Sequence, residues 1–196
     1  MDKIIVKLID IDFVKQNMQE ILSMLDDKRI EKANGYLKEN DKLLSLGGGY
    51  LYQKYLPVKD FKYNENGKPY LENGPFFNLS HSGEYIALVI SKTREVGIDI
   101  QKVDENRLKT IEYVSNQKSN PNEMFQIWSN KESLIKCLGL NMSEIKNVPG
   151  LPLTGEREFK GDLFYTQSMI YDGYSLSVTL KGIQPLEIKI QKEKKA

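Results

Sequence analysis

Apolar and polar residues recur along the chain with two different periods, which predict a helix-rich beginning and a strand-rich remainder. Residues 4–9 are mostly β-branched and predict a first strand. Between residues 12 and 25, apolar side chains recur at the spacing of a helix. A short basic helix over 27–32 and a longer helix over 39–55 follow, and Pro57 ends the latter. The first part of the chain is therefore predicted to be one strand followed by three helices.

The remainder of the chain predicts strands on either side of one strong helix over residues 122–138. Asp104 can cap a shorter helix that ends near Tyr113. The pair Asp172 and Gly173 is typical of a tight hairpin. Six strands are predicted, over residues 76–79, 85–91, 96–103, 163–171, 174–180 and 186–190. This order indicates the α+β class with mainly antiparallel sheets, and the basic tail over 192–195 is predicted to be solvated.

Three consecutive glycines, Gly47, Gly48 and Gly49, lie inside the predicted long helix. A phosphate-binding loop would need a Gly-Lys-Ser/Thr sequence after it and a strand before it, and the sequence has neither. Each glycine inside a helix costs about 1 kcal/mol relative to alanine. The triplet therefore predicts that this helix packs closely against a sheet or a ligand.

Charges nearly cancel, with 28 basic and 27 acidic residues among 196. Such a chain has no overall field to attract nucleic acid or an anionic membrane, so any anion site must be local. Cys137 is the only cysteine, which excludes an intrachain disulfide, suits a reducing compartment and predicts a buried, inert thiol. Residues 1–7 do not resemble a signal peptide, and no segment has the roughly 20 apolar residues of a bilayer span. We expect a cytoplasmic protein.

Two carboxylates and a lysine are the first candidates for chemistry. Asp99 lies on the opposite strand face from its isoleucine neighbours, and Glu132 and Lys136 are one helical turn apart. One interpretation is a solvent-facing acid and a surface ion pair that contributes a few tenths of a kcal/mol. The other is a divalent cation held by both carboxylates, with Lys136 facing a phosphate, and oxygen ligands would suit magnesium. The spacing leaves both interpretations open.

His81, the only histidine, lies between Ser80 and Ser82 and before Gly83. The serines can simply complete a turn, or the hydroxyls, imidazole and backbone donors can bind a phosphate. A hydrolase triad is excluded, because neither serine has the surroundings of a nucleophile elbow.

Three segments in this order resemble the 4′-phosphopantetheinyl transferases of the surfactin-synthetase type: residues 77–83 (FNLSHSG), residues 97–100 (GIDI), and residues 128–133 (WSNKES) followed by Lys136. The resemblance is clearest over 67–138. It implies two similar α/β subdomains related by a pseudo-two-fold axis. The N-terminal one, residues 1–94, would contain the coenzyme A 3′-phosphate contacts and the Ser-His-Ser-Gly turn. The C-terminal one, residues 95–196, would contain the magnesium ligands and the catalytic helix.

The resemblance also implies the activity. A magnesium-dependent holo-[acyl-carrier-protein] synthase would move the 4′-phosphopantetheine arm from coenzyme A to a serine of an acyl or peptidyl carrier protein and release adenosine 3′,5′-bisphosphate, acting as a monomer. By the same resemblance, the metal ligands are Asp99, Glu132 and Gln101, and the catalytic residues are Glu132, Lys136 and His81. The coenzyme A-binding residues are Arg29, Lys32, Lys42, Lys68, Ser80, His81 and Lys136.

The chain departs from this resemblance at three places. Gln101 stands where many relatives have glutamate, so it can coordinate an ion but cannot neutralise it. Leu44 replaces a common arginine, which weakens the expected grip on the 3′-phosphate, and residues 107–122 lack an acidic Ser-Xaa-Glu-Glu pattern. An alternative hypothesis is therefore a catalytically impaired homologue that binds coenzyme A or a carrier protein. Fatty acid, polyketide and nonribosomal peptide pathways all remain open.

Overall fold

Two four-stranded sheets with covering helices make up most of the structure. The computed structural model describes residues 2–56, 60–115 and 117–193. Its strands are β1 (Asp2–Asp10), β2 (Lys62–Tyr63), β3 (Pro69–Tyr70), β4 (Phe76–Ser82), β5 (Tyr85–Ser91), β6 (Val96–Lys102), β7 (Gly155–Phe159), β8 (Asp162–Tyr171), β9 (Tyr174–Lys181) and β10 (Leu186–Lys192). Its α-helices are α1 (Ile11–Gln16), α2 (Met18–Met24), α3 (Asp27–Asn34), α4 (Glu39–Tyr55), α5 (Leu108–Ser115) and α6 (Pro121–Leu138). These elements confirm the α+β class.

The strand order is β10-β1-β5-β4 in the first sheet and β6-β9-β8-β7 in the second. Neighbouring strands are antiparallel except for β1 and β10, which confirms the mainly antiparallel prediction. Strands β2 and β3 form a separate ribbon. Because β10 pairs with β1, the last strand lies in the same sheet as the first. The division into subdomains between residues 94 and 95 stays a prediction.

Strand β5 is apolar at nearly every position because both of its faces are buried. Ile86 and Leu88 join the helices α1 to α4 in one apolar core. Ala87 and Val89 alternate with them and pack against β6 and β9 of the second sheet. The far face of the second sheet is covered by α6. The order of layers is therefore helices, first sheet, second sheet and α6.

The glycine triplet of α4 lies where this helix is pressed against its neighbours. A Cβ atom on Gly47 would come within 2.6 Å of Ile86 Cδ1 in the first sheet, and one on Gly49 within 2.8 Å of Leu25 Cδ2. The prediction of close helix packing is confirmed. Three side chains at these positions would push the helix away from β5 and from α3.

Several predicted elements differ in detail. The single helix expected over 12–25 is broken at Asn17, whose side chain donates to the Phe13 carbonyl at 2.8 Å and so competes with the helical bonds. A 3₁₀ turn over Glu105–Arg107 precedes α5, and strand β7 was not expected. Pro57 lies outside the described residues.

The start of the tail is anchored, so the prediction of a solvated tail is wrong for its first two residues. Lys192 Nζ lies 2.8 Å from Asp10 Oδ2, and Lys54 Nζ lies 2.8 Å from Glu193 Oε2. Both contacts bring the end of β10 to the first sheet and α4. None of the helices in the described part of the chain combines the length and apolarity that a bilayer crossing requires.

Candidate active site

The two sheets meet at the edge strands β4 and β6, which are joined by side chains instead of a backbone ladder. Alternate side chains of β4 point toward β6 and accept its backbone amides. Ile98 N donates to Asn78 Oδ1 at 2.9 Å, Ile100 N to Ser80 Oγ at 3.2 Å, and Lys102 N to Ser82 Oγ at 3.0 Å. These three polar residues therefore satisfy donors that an edge strand would otherwise leave unpaired. Ser80 lies within β4 and Ser82 is its last residue, directly before the turn at Gly83 and Glu84, so the serines do more than complete a turn: both hydroxyls bond to β6.

Helix α6 lies unusually close to β6 because the residues between them are small. A Cβ atom on Gly97 would overlap the backbone of α6 at the Ser133 carbonyl oxygen and at Cys137. Beside this contact, buried hydroxyls replace large apolar side chains between α6 and β9. Ser129 Oγ is 2.6 Å from Ser175 Oγ and 2.7 Å from Ser177 Oγ, and Ser133 Oγ is 2.7 Å from Thr179 Oγ1. Gly97 and these hydroxyls bring the carboxylate of β6 within reach of the helix.

At this crossing, Ser80, Asp99, Glu132 and Lys136 form what we call the Asp99 cluster. Lys136 Nζ lies 2.6 Å from Asp99 Oδ1, 2.9 Å from Ser80 Oγ and 3.7 Å from Glu132 Oε2. Ser80 Oγ also donates to Asp99 Oδ1 at 2.9 Å. The Asp99 side chain is 3% exposed and that of Glu132 is 14% exposed. The interpretations as a solvent-facing acid and a surface ion pair are therefore wrong.

The two carboxylates of the cluster repel each other when both are ionised. Burial and the negative charge of Asp99 raise the pKa of Glu132 to about 7. Burial alone would lower the pKa of Lys136, but Asp99 and Glu132 raise it above its ordinary value, so this lysine is charged at neutral pH. Asp99 Oδ2 is buried and has no hydrogen-bond partner among the described residues. The cluster is therefore one positive charge short of balance whenever both acids are ionised.

The shifted pKa of Glu132 makes a prediction for stability. Because the folded state binds the proton more tightly than the unfolded chain, this group lowers the free energy of unfolding as pH rises from about 4.5 to about 7. We expect Glu132→Gln to raise the free energy of unfolding by about 1–3 kcal/mol at pH 8 and by much less at pH 5. Urea denaturation in chelator-containing buffer measures both values. An equal change in the free energy of unfolding at the two pH values would contradict the assigned pKa. Glu158→Gln, at an exposed position of β7, is the control.

A cavity of about 720 Å³ lies between α3, α4, the β2–β3 ribbon and β4, and its wall includes His81, the neighbour of Ser80 in β4. Lys28, Arg29 and Lys32 of α3 line it, together with His81 and the aromatic rings of Tyr52, Phe61 and Tyr63. Loss of water around the imidazole and the positive charge of Lys136 lower the pKa of His81, so its ring is neutral at pH 7. The lining also includes the carboxylates of Asp26, Asp41 and Asp60. The three cations of α3 and the aromatic rings suit a ligand with phosphates and a planar ring.

Arg29 is held at this cavity by a backbone carbonyl of α4, beside the glycine triplet. Its Nη2 and Nε donate to the Ser45 carbonyl oxygen at 2.8 and 3.2 Å. A Cβ atom on Gly49 would come within 3.0 Å of Arg29 Nε, so the guanidinium needs a glycine there. Leu44 lines the same cavity with an apolar side chain at the position of the expected arginine.

The structure brings together some of the predicted site residues and separates others. Ser80, Asp99, Glu132 and Lys136 form the cluster, and Arg29, Lys32 and His81 line the cavity. Gln101 Nε2 donates to Ser82 Oγ at 3.2 Å, which leaves its carbonyl oxygen for another contact. Neither Lys42 nor Lys68 is among the residues that line the cavity, although Gly67 and Pro69 are. Sequence reasoning missed Lys28, whose signal was its place in the basic helix.

The donor set is small for a metal site formed by protein alone. Within residues 2–56, 60–115 and 117–193, no group of three or more His, Cys, Asp or Glu side chains could hold a metal ion. Asp99 and Glu132 provide two carboxylates, and the unpartnered Asp99 Oδ2 is an available oxygen. Magnesium usually takes only one or two protein carboxylates together with water and substrate phosphates. The residues present therefore fit that ion.

Comparison with known proteins gives relatives of one kind. No protein-family model matches the chain. It is 34% identical over 126 residues to the 4′-phosphopantetheinyl transferase gsp of Aneurinibacillus migulanus, which is 55% of this chain and 53% of the relative. It is 27% identical over 167 residues to the 4′-phosphopantetheinyl transferase HetI of a Nostoc species, and this match covers 71% of this chain and 70% of the relative. It is 32% identical over 119 residues to the 4′-phosphopantetheinyl transferase AcpT of Salmonella typhimurium, and this match covers 53% of this chain and 62% of the relative.

The chain thus spans about half the length of the first of these relatives. Their names confirm the family resemblance that the three segments indicate: the chain is similar to proteins named 4′-phosphopantetheinyl transferases over 53–70% of their length.

Proposed function

We propose that this homologue of the 4′-phosphopantetheinyl transferases moves the 4′-phosphopantetheine arm of coenzyme A to a serine hydroxyl of an acyl or peptidyl carrier protein. The serine oxygen attacks the β-phosphorus of the coenzyme A pyrophosphate, the bond to the bridging oxygen breaks, and adenosine 3′,5′-bisphosphate leaves. The observation that supports this most directly is the Asp99 cluster together with a cavity lined by cations and aromatic rings, which are connected by His81: it lines the cavity and feels the charge of Lys136.

The cavity residues suit the nucleotide half of coenzyme A. Lys28, Arg29 and Lys32 would bind the phosphates, because cations on one helix face can contact several phosphate oxygens. The aromatic side chains would pack against the adenine. His81, neutral in the free protein, would donate a hydrogen bond to a phosphate oxygen and become protonated when the negative charge arrives.

The cluster residues suit the proton transfers of the reaction. Glu132 would accept the proton of the carrier serine, and in the metal-free protein burial and Asp99 raise the pKa of this carboxyl group to about 7. Lys136 stays charged, so it can stabilise the departing bisphosphate oxygen by a charge-assisted hydrogen bond. Ser80 holds both Asp99 and Lys136 in place. Positioning and charge stabilisation are the main contributions in phosphoryl-type displacements.

Magnesium is part of the proposal. Asp99, Glu132 and Gln101 would hold the ion, and its charge would neutralise the pyrophosphate oxygens as the bond breaks. The unpartnered Asp99 Oδ2 and the mutual repulsion of the two carboxylates both favour a cation at this place. The partners would be coenzyme A and a carrier protein, and the protein would act as a monomer in the cytoplasm. Burial raises the pKa of the Cys137 thiol to about 12, so this thiol is unreactive and has no part in the proposed chemistry.

The test is a mass-shift assay on apo-carrier proteins from the same organism. Incubation with coenzyme A, magnesium and the protein should add one phosphopantetheine group to at least one carrier and release adenosine 3′,5′-bisphosphate. Coenzyme A binding without modification of any carrier would reject the transferase and favour the impaired homologue. The relatives support the transferase over that alternative.

Gln101 offers a prediction for the metal site. A carboxylate at this position would add a negative charge to the ligand set, so Gln101→Glu should tighten magnesium binding by about tenfold. Calorimetric titration of the protein with magnesium alone measures this without any turnover. Gln191→Glu, on the exposed part of β10, is the matched control and should leave the affinity unchanged. No change in Gln101→Glu would exclude this residue from the metal site.

A further inference from the structure

A turn that is remote in sequence caps the C-terminal end of α6. Asn64 Nδ2 and Asn66 Nδ2 each donate to the Gly139 carbonyl oxygen at 3.0 Å, and Lys68 Nζ donates to the Cys137 carbonyl oxygen at 2.7 Å. The last carbonyls of a helix have no partner within the helix, and they attract positive charge. Residues 64–68, which we call the capping turn, therefore satisfy the end of the helix that contains Glu132 and Lys136.

The capping turn has a fixed internal conformation. Asn64 Oδ1 accepts from Asn66 N at 3.0 Å and from Lys68 N at 2.8 Å, and Gly67 N donates to the Asn64 carbonyl. Gly67 has a φ of +81°, a conformation that glycine adopts at no steric cost. Because the same asparagine side chain orders the turn and contacts Gly139, the turn and the helix end form one unit.

Lys68 contacts both elements that present the cluster. Its Nζ lies 3.5 Å from the Val96 carbonyl oxygen on β6 as well as 2.7 Å from that of Cys137. Val96 is three residues before Asp99, and Cys137 directly follows Lys136. Gly139 has no side chain to separate the turn from the helix, and a Cβ there would come within 3.0 Å of Lys68 Cδ. Lys68 thus lies where β6 and α6 cross.

The opposite side of the capping turn faces the cavity. Gly67, Pro69 and the adjacent Tyr63 line the cavity, whereas the Lys68 side chain points away from it to the helix end. A ligand in the cavity would therefore contact the backbone of the turn, and the side chains of the same turn hold α6.

We propose that Lys68, together with Asn64 and Asn66, is a positioning residue that keeps α6 in register with β6, so that Lys136 stays on Asp99 while the cavity is occupied. This inference rests on the proposed function for its kinetic consequence. It assigns to Lys68 a contact with the protein backbone in place of the coenzyme A contact that the family resemblance implied.

The kinetic test compares Lys68→Met with Lys68→Arg and Lys62→Met. Lys62 lies on the same ribbon and pairs with Glu72 on the surface, so its replacement is the matched control. Small misplacements of reacting groups cost up to about 100-fold in rate, so we expect Lys68→Met to lower kcat by about 10–100-fold. The Kd for adenosine 3′,5′-bisphosphate should stay within about threefold, since the contact is not to the ligand. Lys68→Arg retains donors for the Cys137 carbonyl and should recover most of kcat.

Other outcomes would overturn the inference. A bisphosphate Kd raised more than about tenfold in Lys68→Met would identify a direct ligand contact. An unchanged kcat, or a loss that Lys68→Arg does not recover, would remove the positioning role.

A second readout separates this inference from the proposed function. Hydrogen exchange at the Gly139 and Leu140 amides, which bond to α6 carbonyls, should accelerate at least about tenfold in Asn66→Ala and Lys68→Met but not in Lys62→Met. If the wild-type protein modifies no carrier, the transferase proposal fails and this exchange measurement alone decides the capping role. Equal exchange in all variants would reject it.

Discussion

Asp99→Asn is expected to lower the rate of arm transfer by about 10²–10⁴-fold, the range typical for the loss of one acid–base or charge-stabilising group. The replacement keeps the shape of the side chain but removes the charge that faces Lys136 at 2.6 Å. Lys136 would then keep Glu132 as its one acidic neighbour in the cluster and would lose the charged contact that fixes its position. Product formation is measured by carrier mass shift at saturating coenzyme A.

The control for this experiment is Asp162→Asn. Asp162 also pairs with a lysine, Lys181 at 2.9 Å, but its side chain is 44% exposed. Its replacement should leave the transfer rate unchanged, because exposed ion pairs contribute little. Full activity in the double variant Asp99→Ala, Glu132→Ala would reject the cluster as the catalytic centre. Circular dichroism of each variant shows whether an activity loss comes from unfolding.

Gly97→Ala is expected to reduce the free energy of unfolding by about 3 kcal/mol or more, because the added methyl group would overlap backbone atoms. A Cβ at this position would lie 2.8 Å from Cys137 Cα and closer still to the Ser133 carbonyl oxygen. Backbone cannot move aside as a flexible side chain can, so α6 would have to shift away from β6. Urea denaturation gives the change directly.

Gly35→Ala provides the comparison for Gly97→Ala. Gly35 follows α3 with a φ of −75°, and the nearest atom to an added Cβ there is the Lys32 carbonyl oxygen at 3.4 Å. Alanine fits this conformation and should change stability by less than about 1 kcal/mol. If Gly97→Ala is equally mild, α6 and β6 are further apart than the structure places them.

Periodicity in the sequence predicted most elements because burial on one or two faces leaves a direct trace. The bounds of α4 agree with the prediction at both ends, and β5 reads as a continuous apolar run because both of its faces are buried. Strand β7 lacked that trace. Its inward residue is Arg157, buried and bonded to the carbonyl oxygens of Pro149 and Pro152, so no apolar alternation marks it.

The chemistry of the cluster was predictable, whereas the reasons for its geometry were not. Family resemblance indicated Asp99, Glu132 and Lys136, and the structure brings them together. Two sets of residues determine that geometry: the small residues that let α6 approach β6, and the polar residues of β4 that accept hydrogen bonds from the amides of β6. Both act between elements that are distant in the sequence, so local sequence patterns do not reveal them. Lys68 is a further example of a contact that the sequence could not predict, because its position in the sequence does not determine which way its side chain points.

The junction of β4 and β6 also has a consequence for the newly made chain. Unpaired strand edges are the surfaces through which β-proteins associate with one another, and here each sheet shields an edge of the other. An N-terminal half that folds before β6 emerges would display the edge of β4 to solvent. Shielding of the β4 edge therefore requires the second sheet, and fragments that end before β6 should precipitate more readily than the chain that includes it.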